Sequence, residues 1–183
     1  MTDLHRFADI HNHVRRAPDT VTSVEPSDEL TGLAGEAWYS VGIHPWSTSA
    51  PITDATWARL EAMASDPRTV AVGEAGLDTL RGGPAEVQEA VFERQALLAE
   101  AVGKPLIIHC VRAYHRILAL HRRLRPKQLW IVHGFRGSAA LARQLTGAGI
   151  ALSTNVRQQS RLPGDIDAGM IFAETDATSA DDV

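Results

Sequence analysis

Leu106-Ile-Ile-His109 and Leu129-Trp-Ile-Val-His133 are two apolar runs that flank an amphipathic segment, Arg112–Leu124. Neither run alternates between apolar and polar residues, which is typical of parallel strands that are buried on both faces. Parallel strands need a long crossover connection, and an amphipathic helix supplies one. We therefore predict a strand–helix–strand unit here and a parallel sheet for the chain.

The same alternation continues in both directions along the chain. Further strand-like runs lie at Arg6–His11, Thr20–Val24, Trp38–His44, Thr69–Glu74, Ile150–Thr154 and Met170–Thr175. Three more helices are predicted: one capped by Asp54 and ending before Pro67, one from Pro84 to Gly103, and one capped by Ser138 and ending near Gly147. The alternation favours an α/β fold, either a TIM-type (β/α) barrel or a doubly wound sheet, in a single domain of residues 1–183.

The composition is that of an ordinary globular chain, with 44% hydrophobic and 22% charged residues. It excludes a mainly disordered protein, and no apolar run reaches the roughly eighteen residues that a membrane span needs. The net charge of −4 disfavours a surface that tracks long nucleic acid. Cys110 is the single cysteine and forms no internal disulfide, so we expect a reducing, cytoplasmic location.

Most of the strand-like runs end in a residue type that binds metal ions. In a parallel barrel the carboxyl ends of the strands form one rim, so these side chains would meet there. Buried ionisable groups are costly unless they are paired or bind a metal, so packing alone explains this recurrence poorly. The residues are His11, His13, His44, Glu74, His109, His133 and, at the end of the last run, Glu174 and Asp176.

Two metal ions account for these residues better than one. His11 and His13 are two residues apart, and on a strand they project to the same face. Together with His109, His133, Glu74 and Asp176 they exceed the ligands that one catalytic metal usually takes from a protein. Two ions that share a carboxylate would use all six. Lys104 and Lys127 precede their strands, at the opposite end of the barrel, so neither is placed to bridge the two ions. Glu74 is therefore the better candidate for a bridge between them.

Seven segments of the sequence together resemble the TatD-like family of metal-dependent deoxyribonucleases, and in particular a compact branch of these amidohydrolase-type barrels. They occur in the family's order and span almost the whole chain. The resemblance implies a TIM-type (β/α) barrel with metal-dependent DNase activity. The segments are Asp9–His13, Val41–Pro45, Gly73–Asp78, Gln88–Gln95, Pro105–Cys110, His133–Gly137 and Glu174–Ala177.

The resemblance also implies a ligand set. It places His11 and His13 on one ion, His109 and His133 on a second ion, and Glu74 between the two. Asp176 also contributes to the metal site, and it acts as general base towards the attacking water, so that Asp176 and Glu74 are the predicted catalytic residues. The predicted ions are Zn, Mg or Mn, and mixed histidine and carboxylate ligation suits Zn, Mn or Fe better than Mg alone.

Four further residues are predicted around these ligands. His44 would line the site without binding a metal directly, and an equally weighted alternative is a structural histidine near a turn. Arg112 and Arg136 follow ligand-bearing strands and are candidates for phosphate contacts, although Arg136 suits a surface role at a helix entry equally well. Asp9 lies on the same strand face as the two histidines and would orient a ligand.

The expected substrate is DNA, attacked at single-stranded ends, because the acidic net charge disfavours long duplex contacts. Trp46 could stack a base there, although an aromatic side chain at such a turn is more often a packing anchor. Two alternatives stay open. The same barrel could hydrolyse another phosphoester, an ester or an amide, or the chain could be a non-catalytic or partner-dependent barrel subunit.

The sequence departs from the family pattern near both ends. The connection from His13 to Thr20 is too short for a crossover helix, so the first helix should be reduced or lost. The sequence given ends seven residues after Asp176, so the last helix should be missing, in a natural minimal member or in a truncated chain. A shortened barrel of this kind leaves a surface that a protein partner could cover.

Overall fold

Eight β-strands form one parallel sheet in which neighbouring strands pair in chain order. The computed structural model describes residues 3–14, 17–28 and 37–179. Chain order without reversal distinguishes a barrel from a doubly wound sheet, so the TIM-type barrel prediction is confirmed. The strands are β1 (Asp9–Asn12), β2 (Thr20–Val24), β3 (Trp38–Val41), β4 (Thr69–Asp78), β5 (Leu106–Val111), β6 (Trp130–Val132), β7 (Ile150–Thr154) and β8 (Ile171–Ala173).

The segment after β8 returns to β1 and nearly closes the barrel. The amide of Asp176 donates to the carbonyl of His11 at 3.0 Å, and the amide of His13 donates to the carbonyl of Ala177 at 2.8 Å. The buried Asp9 carboxylate accepts hydrogen bonds from the Thr175 hydroxyl at 2.7 Å and the Thr175 amide at 3.2 Å. Asp9 therefore joins the first strand to the end of the last one, and it also accepts from the amide of His11 at 3.1 Å.

Within the part of the chain that the structure describes, five α-helices lie between the strands. Thr53, rather than Asp54, caps the first helix, because its hydroxyl accepts the amide of Thr56 while Asp54 is already helical. Ser138 caps its helix as predicted, and Gly103 ends another at φ 68°. The third helix begins two residues later than predicted, because Arg112 has a left-handed φ of 55°. The helices are α1 (Asp54–Ala64), α2 (Ala85–Val102), α3 (Tyr114–Leu124), α4 (Ala139–Gly147) and α5 (Val156–Gln159).

Strand β4 is longer than predicted and carries Glu74 in its interior instead of at its end. Its pairing with β5 shifts register between Val72 and Ala75, so that the stretch containing Glu74 bulges out of the regular ladder. The bulge depends on Gly73, which has φ 122° and whose added Cβ would lie 2.3 Å from the carbonyl oxygen of Ile107. A local bulge of this kind re-aims a side chain, here that of Glu74.

The apolar core has two layers. Trp130 and Val132 of β6 join the larger cluster, which includes the buried faces of α1 to α4, among them Leu60 and Phe92. Ile131, between them on the strand, joins a second cluster that contains no residue of those helices. Successive strand residues point to opposite faces, so the larger layer lies between sheet and helices and the smaller one lies inside the barrel.

The first and last helices of the barrel were predicted to be reduced or missing, and the described residues cover these regions only in part. In the connection from β1 to β2, the described positions 13, 14 and 17–19 contain no helix. No helix follows β8 within residues 174–179, and the expected start of one at 180–183 lies outside the described residues. Among the described helices, none is long and apolar enough to cross a membrane.

Replacing Asp9 with alanine should destabilise the fold by about 3 kcal/mol, because two backbone amides and one hydroxyl lose their buried acceptor. Urea unfolding followed by circular dichroism measures this. The matched control is Asp165→Ala, which removes an exposed carboxylate paired with Arg143 and should leave the midpoint nearly unchanged. An Asp9→Ala protein as stable as wild type would contradict the closure described here.

Candidate metal centre at the carboxyl end of the barrel

Glu74 occupies the middle of a cluster of five histidines. Its Oε1 atom lies 2.6 Å from His133 Nε2, 2.7 Å from His109 Nδ1 and 3.2 Å from His44 Nε2. Its Oε2 atom lies 3.3 Å from His11 Nε2 and 3.7 Å from His13 Nε2. The two oxygens of one buried carboxylate thus face two different sets of imidazole rings.

The barrel brings these side chains together from distant strands. His11 lies on β1, His109 on β5 and His133 directly after β6. Asp176 follows β8 and has a left-handed φ of 54°; its Oδ1 lies 3.8 Å from His11 Nε2 and 3.7 Å from His13 Nε2. Each of the six predicted metal ligands therefore points its polar atoms at the same rim of the barrel.

Three overlapping groups in the described residues bring ligand atoms within 4.8 Å of one another, close enough to share an ion. They are His11, Glu74 and His133; His11, His13 and Asp176; and His44, Glu74 and His109. The first and third groups meet at Glu74. His44 belongs to the third group, so the structure places it among the candidate ligands. The sequence predicted only that it would line the site.

Unsatisfied buried nitrogens at this site are consistent with a bound cation. The Nδ1 atoms of His11 and His133 are buried without a hydrogen-bond partner among the described residues, and His11 Nε2 faces the Glu74 carboxylate at 3.3 Å. A buried polar atom without a partner is destabilising, and a metal ion is an acceptor of such lone pairs. The residues present therefore fit a divalent metal ion.

The histidines control the ionisation of Glu74. Burial alone would raise the pKa of this carboxyl, but the charge of His133 and hydrogen bonds from His109, His11 and His133 outweigh burial and hold the pKa well below its usual value. For His133, burial lowers the pKa, yet the facing Glu74 carboxylate raises it to about 9. Burial lowers the pKa of His13. The carboxylate at the centre is thus kept ionised.

Asp78 is a buried carboxylate next to this cluster that the sequence reasoning did not identify as functional. It accepts the indole N–H of Trp46 at 2.7 Å and the amide of Leu80 at 2.8 Å, and it lies 3.4 Å from His109 Nε2. Because the other ring nitrogen, Nδ1, faces Glu74, Asp78 fixes the ring orientation of His109. Its place in the segment Gly73–Asp78 was the available signal. Because the strand was predicted to end at Glu74, Asp78 was not expected at the rim.

Two buried glutamines of α2 anchor the loops around the cluster. The side chain of Gln95 accepts the amide of Ile43 at 2.7 Å and donates to its carbonyl at 3.0 Å, which fixes the backbone next to His44. Gln88 accepts the amide of Asp78 at 2.7 Å and donates to the carbonyl of Gly83 at 2.8 Å. The sequence indicates these two residues only as polar side chains, seven positions apart, on the apolar side of a predicted helix.

The remaining predicted residues lie around this centre without joining it. Glu174 accepts from the Ser153 hydroxyl and the Gly134 amide, each at 2.5 Å, so it supports the backbone after His133. Arg112 and Arg136 are exposed at the rim, and within the described residues neither side chain has a hydrogen bond to the cluster. Asp9 bonds to the backbone of His11, which places it behind a predicted ligand.

A parallel barrel with a histidine and carboxylate cluster at the carboxyl ends of its strands defines a class of metal-binding α/β barrels. The chain matches the family model described as "TatD related DNase" over residues 9–181. It therefore belongs to the TatD family, as the sequence motifs predicted.

Curated relatives carry matching names. The chain is 39% identical over 145 residues to "3'-5' ssDNA/RNA exonuclease TatD" of Cronobacter turicensis. The matched stretch covers 73% of this chain and 52% of that protein. It is 38% identical over 120 residues to "Uncharacterized metal-dependent hydrolase TatD" of Mycobacterium tuberculosis, covering 62% of this chain and 45% of that protein. The chain thus spans about half the length of these relatives.

A solved structure supports the fold. The barrel superimposes on a hydrolase TatD family protein from Entamoeba histolytica with a TM-score of 0.74 at 15% sequence identity. The match covers 94% of this chain and 74% of the other chain. At this level of identity the likeness concerns the barrel architecture.

Adding Zn²⁺ or Mn²⁺ should raise the melting temperature of the wild-type protein, because a ligand that binds only the folded state stabilises it, by about 2.7 kcal/mol at a hundredfold excess over Kd. The rise should be lost in Glu74→Gln, which removes the charge shared by both groups. Differential scanning calorimetry measures it, and Glu61→Gln, an exposed glutamate on α1, is the control. An equal shift in Glu74→Gln would place the ion elsewhere.

Replacing Asp78 with asparagine should weaken metal binding about 10- to 100-fold, the usual cost of losing the carboxylate that orients a histidine ligand. Isothermal titration with Mn²⁺ measures the affinity. Trp46→Phe is the matched variant, since it removes the indole hydrogen bond to Asp78 but leaves the carboxylate beside His109. Unchanged affinity in Asp78→Asn would mean that the ring of His109 needs no such support.

Proposed function

We propose that this chain is a metal-dependent hydrolase that cleaves phosphodiester bonds at single-stranded ends of nucleic acid, as a 3′-end exonuclease. The observation that carries the proposal is the buried Glu74 carboxylate with one oxygen towards each of two histidine sets. The names of the curated relatives supply the substrate class and the direction. The net charge of −4 fits a grip on a short strand end better than extended duplex binding.

Two divalent ions, Zn, Mg or Mn, are the proposed cofactors. His11, His13 and Asp176 would hold one ion, His109 and His133 the other, and Glu74 would contribute one oxygen to each. His44 is a further candidate at the second ion, given its 3.2 Å distances to Glu74 Oε1 and to His109 Nδ1. Bound ions would lower the pKa of a water molecule and neutralise phosphate charge.

The protein's own groups then have defined tasks. Asp176 is one-third exposed at the rim and, as a carboxylate, accepts the proton of the attacking water when its oxygen bonds to phosphorus. The bond from phosphorus to the 3′ oxygen of the preceding nucleotide breaks, and that oxygen takes up a proton. Arg112 and Arg136, exposed after β5 and β6, are proposed contacts for the phosphates of the strand.

The remaining parts of the proposal follow from single features. A reducing compartment such as the cytoplasm remains our proposal for location, since the sequence has one cysteine, Cys110, and its thiol is free. A partner that covers the shortened barrel also remains a proposal. A purely non-catalytic barrel is disfavoured, because a scaffold has no use for seven converging ligand-type side chains.

A time course on end-labelled single-stranded DNA tests the proposed reaction. With Mg²⁺, Mn²⁺ or Zn²⁺ the wild-type protein should shorten the strand stepwise, and a chelator should stop it. Asp176→Asn should reduce the rate by at least about 100-fold, because the general base is removed. The control is Asp165→Asn, on the exposed side of the barrel. Folded protein that leaves DNA intact under every metal would overturn the proposal.

A further inference from the structure

A cavity of about 380 Å³ opens directly beside the metal-type cluster. Its lining includes His13, His44 and Glu74 of the cluster, and also Glu25, Asp28 and Ser47. Its volume falls within the range of about 300–1,000 Å³ that is typical of small-ligand pockets. Among the described residues, no lysine or arginine lines it. The described lining can therefore accept hydrogen bonds from hydroxyl groups, and none of its side chains is a lysine or arginine that would bind a phosphate.

Glu25 is held in a fixed position in this cavity. The hydroxyl of Ser47 lies 2.9 Å from each oxygen of the Glu25 carboxylate and donates to it. Ser47 belongs to the short 3-10 turn Pro45–Ser49, whose first residues are fixed by His44, because His44 Nδ1 accepts the amide of Trp46 at 3.2 Å. The acid and the candidate ligand His44 are thus positioned by the same turn.

A second cavity, of about 480 Å³, has basic side chains in its lining beside the carboxylate of Asp78. It is lined by Arg81, His115 and Arg116, among others. The amide of Gly83, in its wall, donates to the hydroxyl of Thr48 at 3.0 Å, so the turn that carries Ser47 also contacts the wall of this cavity. The guanidinium of Arg81 lies 4.5 Å from the ring centre of Trp46. Cations and an exposed aromatic ring suit phosphates and bases.

We propose that Glu25 is a specificity residue that selects strand ends carrying a free hydroxyl. The terminal nucleoside occupies the cavity beside Glu25, its 3′ hydroxyl donates to the carboxylate, and the rest of the strand leaves past Trp46 and Arg81. This inference rests on the proposed exonuclease function. A phosphate on the terminal hydroxyl would bring a charge of about −1.5 to −2 against the Glu25 carboxylate, which is repulsive.

The first test compares degradation of two single-stranded oligonucleotides that differ only in a 3′ hydroxyl or a 3′ phosphate. The wild-type protein should degrade the hydroxyl end about tenfold faster, which corresponds to about 1.4 kcal/mol of repulsion. In Glu25→Gln this ratio should fall towards one, while Glu61→Gln, which removes an exposed carboxylate from α1, should keep it. A ratio that is unchanged in Glu25→Gln, or absent in wild type, overturns the proposal.

The second test separates this inference from the proposed nuclease activity. A nucleoside 5′-monophosphate and a nucleoside 3′,5′-bisphosphate contain no phosphodiester bond, so their binding to the metal-loaded protein is independent of strand cleavage. Isothermal titration should show about tenfold tighter binding of the monophosphate, and the preference should be lost in Glu25→Gln and reduced in Ser47→Ala. Glu25-dependent preference without DNA degradation would support the pocket while rejecting the nuclease. Equal binding of both ligands by wild type would reject the pocket.

Discussion

The structure depends on one buried carboxylate surrounded by imidazole rings. Glu74 is only 6% exposed, and a lone carboxylate at that depth would be strongly destabilising. It is tolerated because five histidines from four regions of the chain face it, and their polar atoms compensate for lost hydration. The requirement works in both directions, since a register error in any of those strands would leave the acid and a histidine unpaired. The cluster therefore constrains the barrel as much as the barrel constrains the cluster.

Next to this centre lie two cavities with different lining residues, and one turn of five residues contacts the lining of both. Pro45–Ser49 presents Ser47 to Glu25 on one side and Thr48 to the Gly83 amide on the other. The backbone just before this turn is fixed by Gln95, which makes two hydrogen bonds to the backbone of Ile43. Gln95, a polar residue on the buried side of α2, thus positions the turn, and with it Ser47 and Thr48, relative to the cluster.

Much of this arrangement could be predicted from local patterns, and the rest required tertiary information. Apolar runs ending in histidine identified the strands and the rim, because strand period and burial are local properties. The interior position of Glu74 was missed, because the bulge at Gly73 arises from pairing with β5, which sequence does not display. Asp54 was preferred to Thr53 as a cap, although both side chains suit that position. The roles of Asp78 and Glu25 depend on Trp46 and Ser47, partners that are distant in sequence and adjacent only in the folded barrel.

The positions of the cluster residues along the chain also determine when, during synthesis, their side chains can come together. Its ligand-type residues run from His11 to Asp176, and Asp176 is held by a hydrogen bond to the backbone of β1 that forms only after β8 has been added. Contacts of such wide sequence separation form late in folding. A nascent chain therefore carries an incomplete cluster until the segment that follows its last strand has been added.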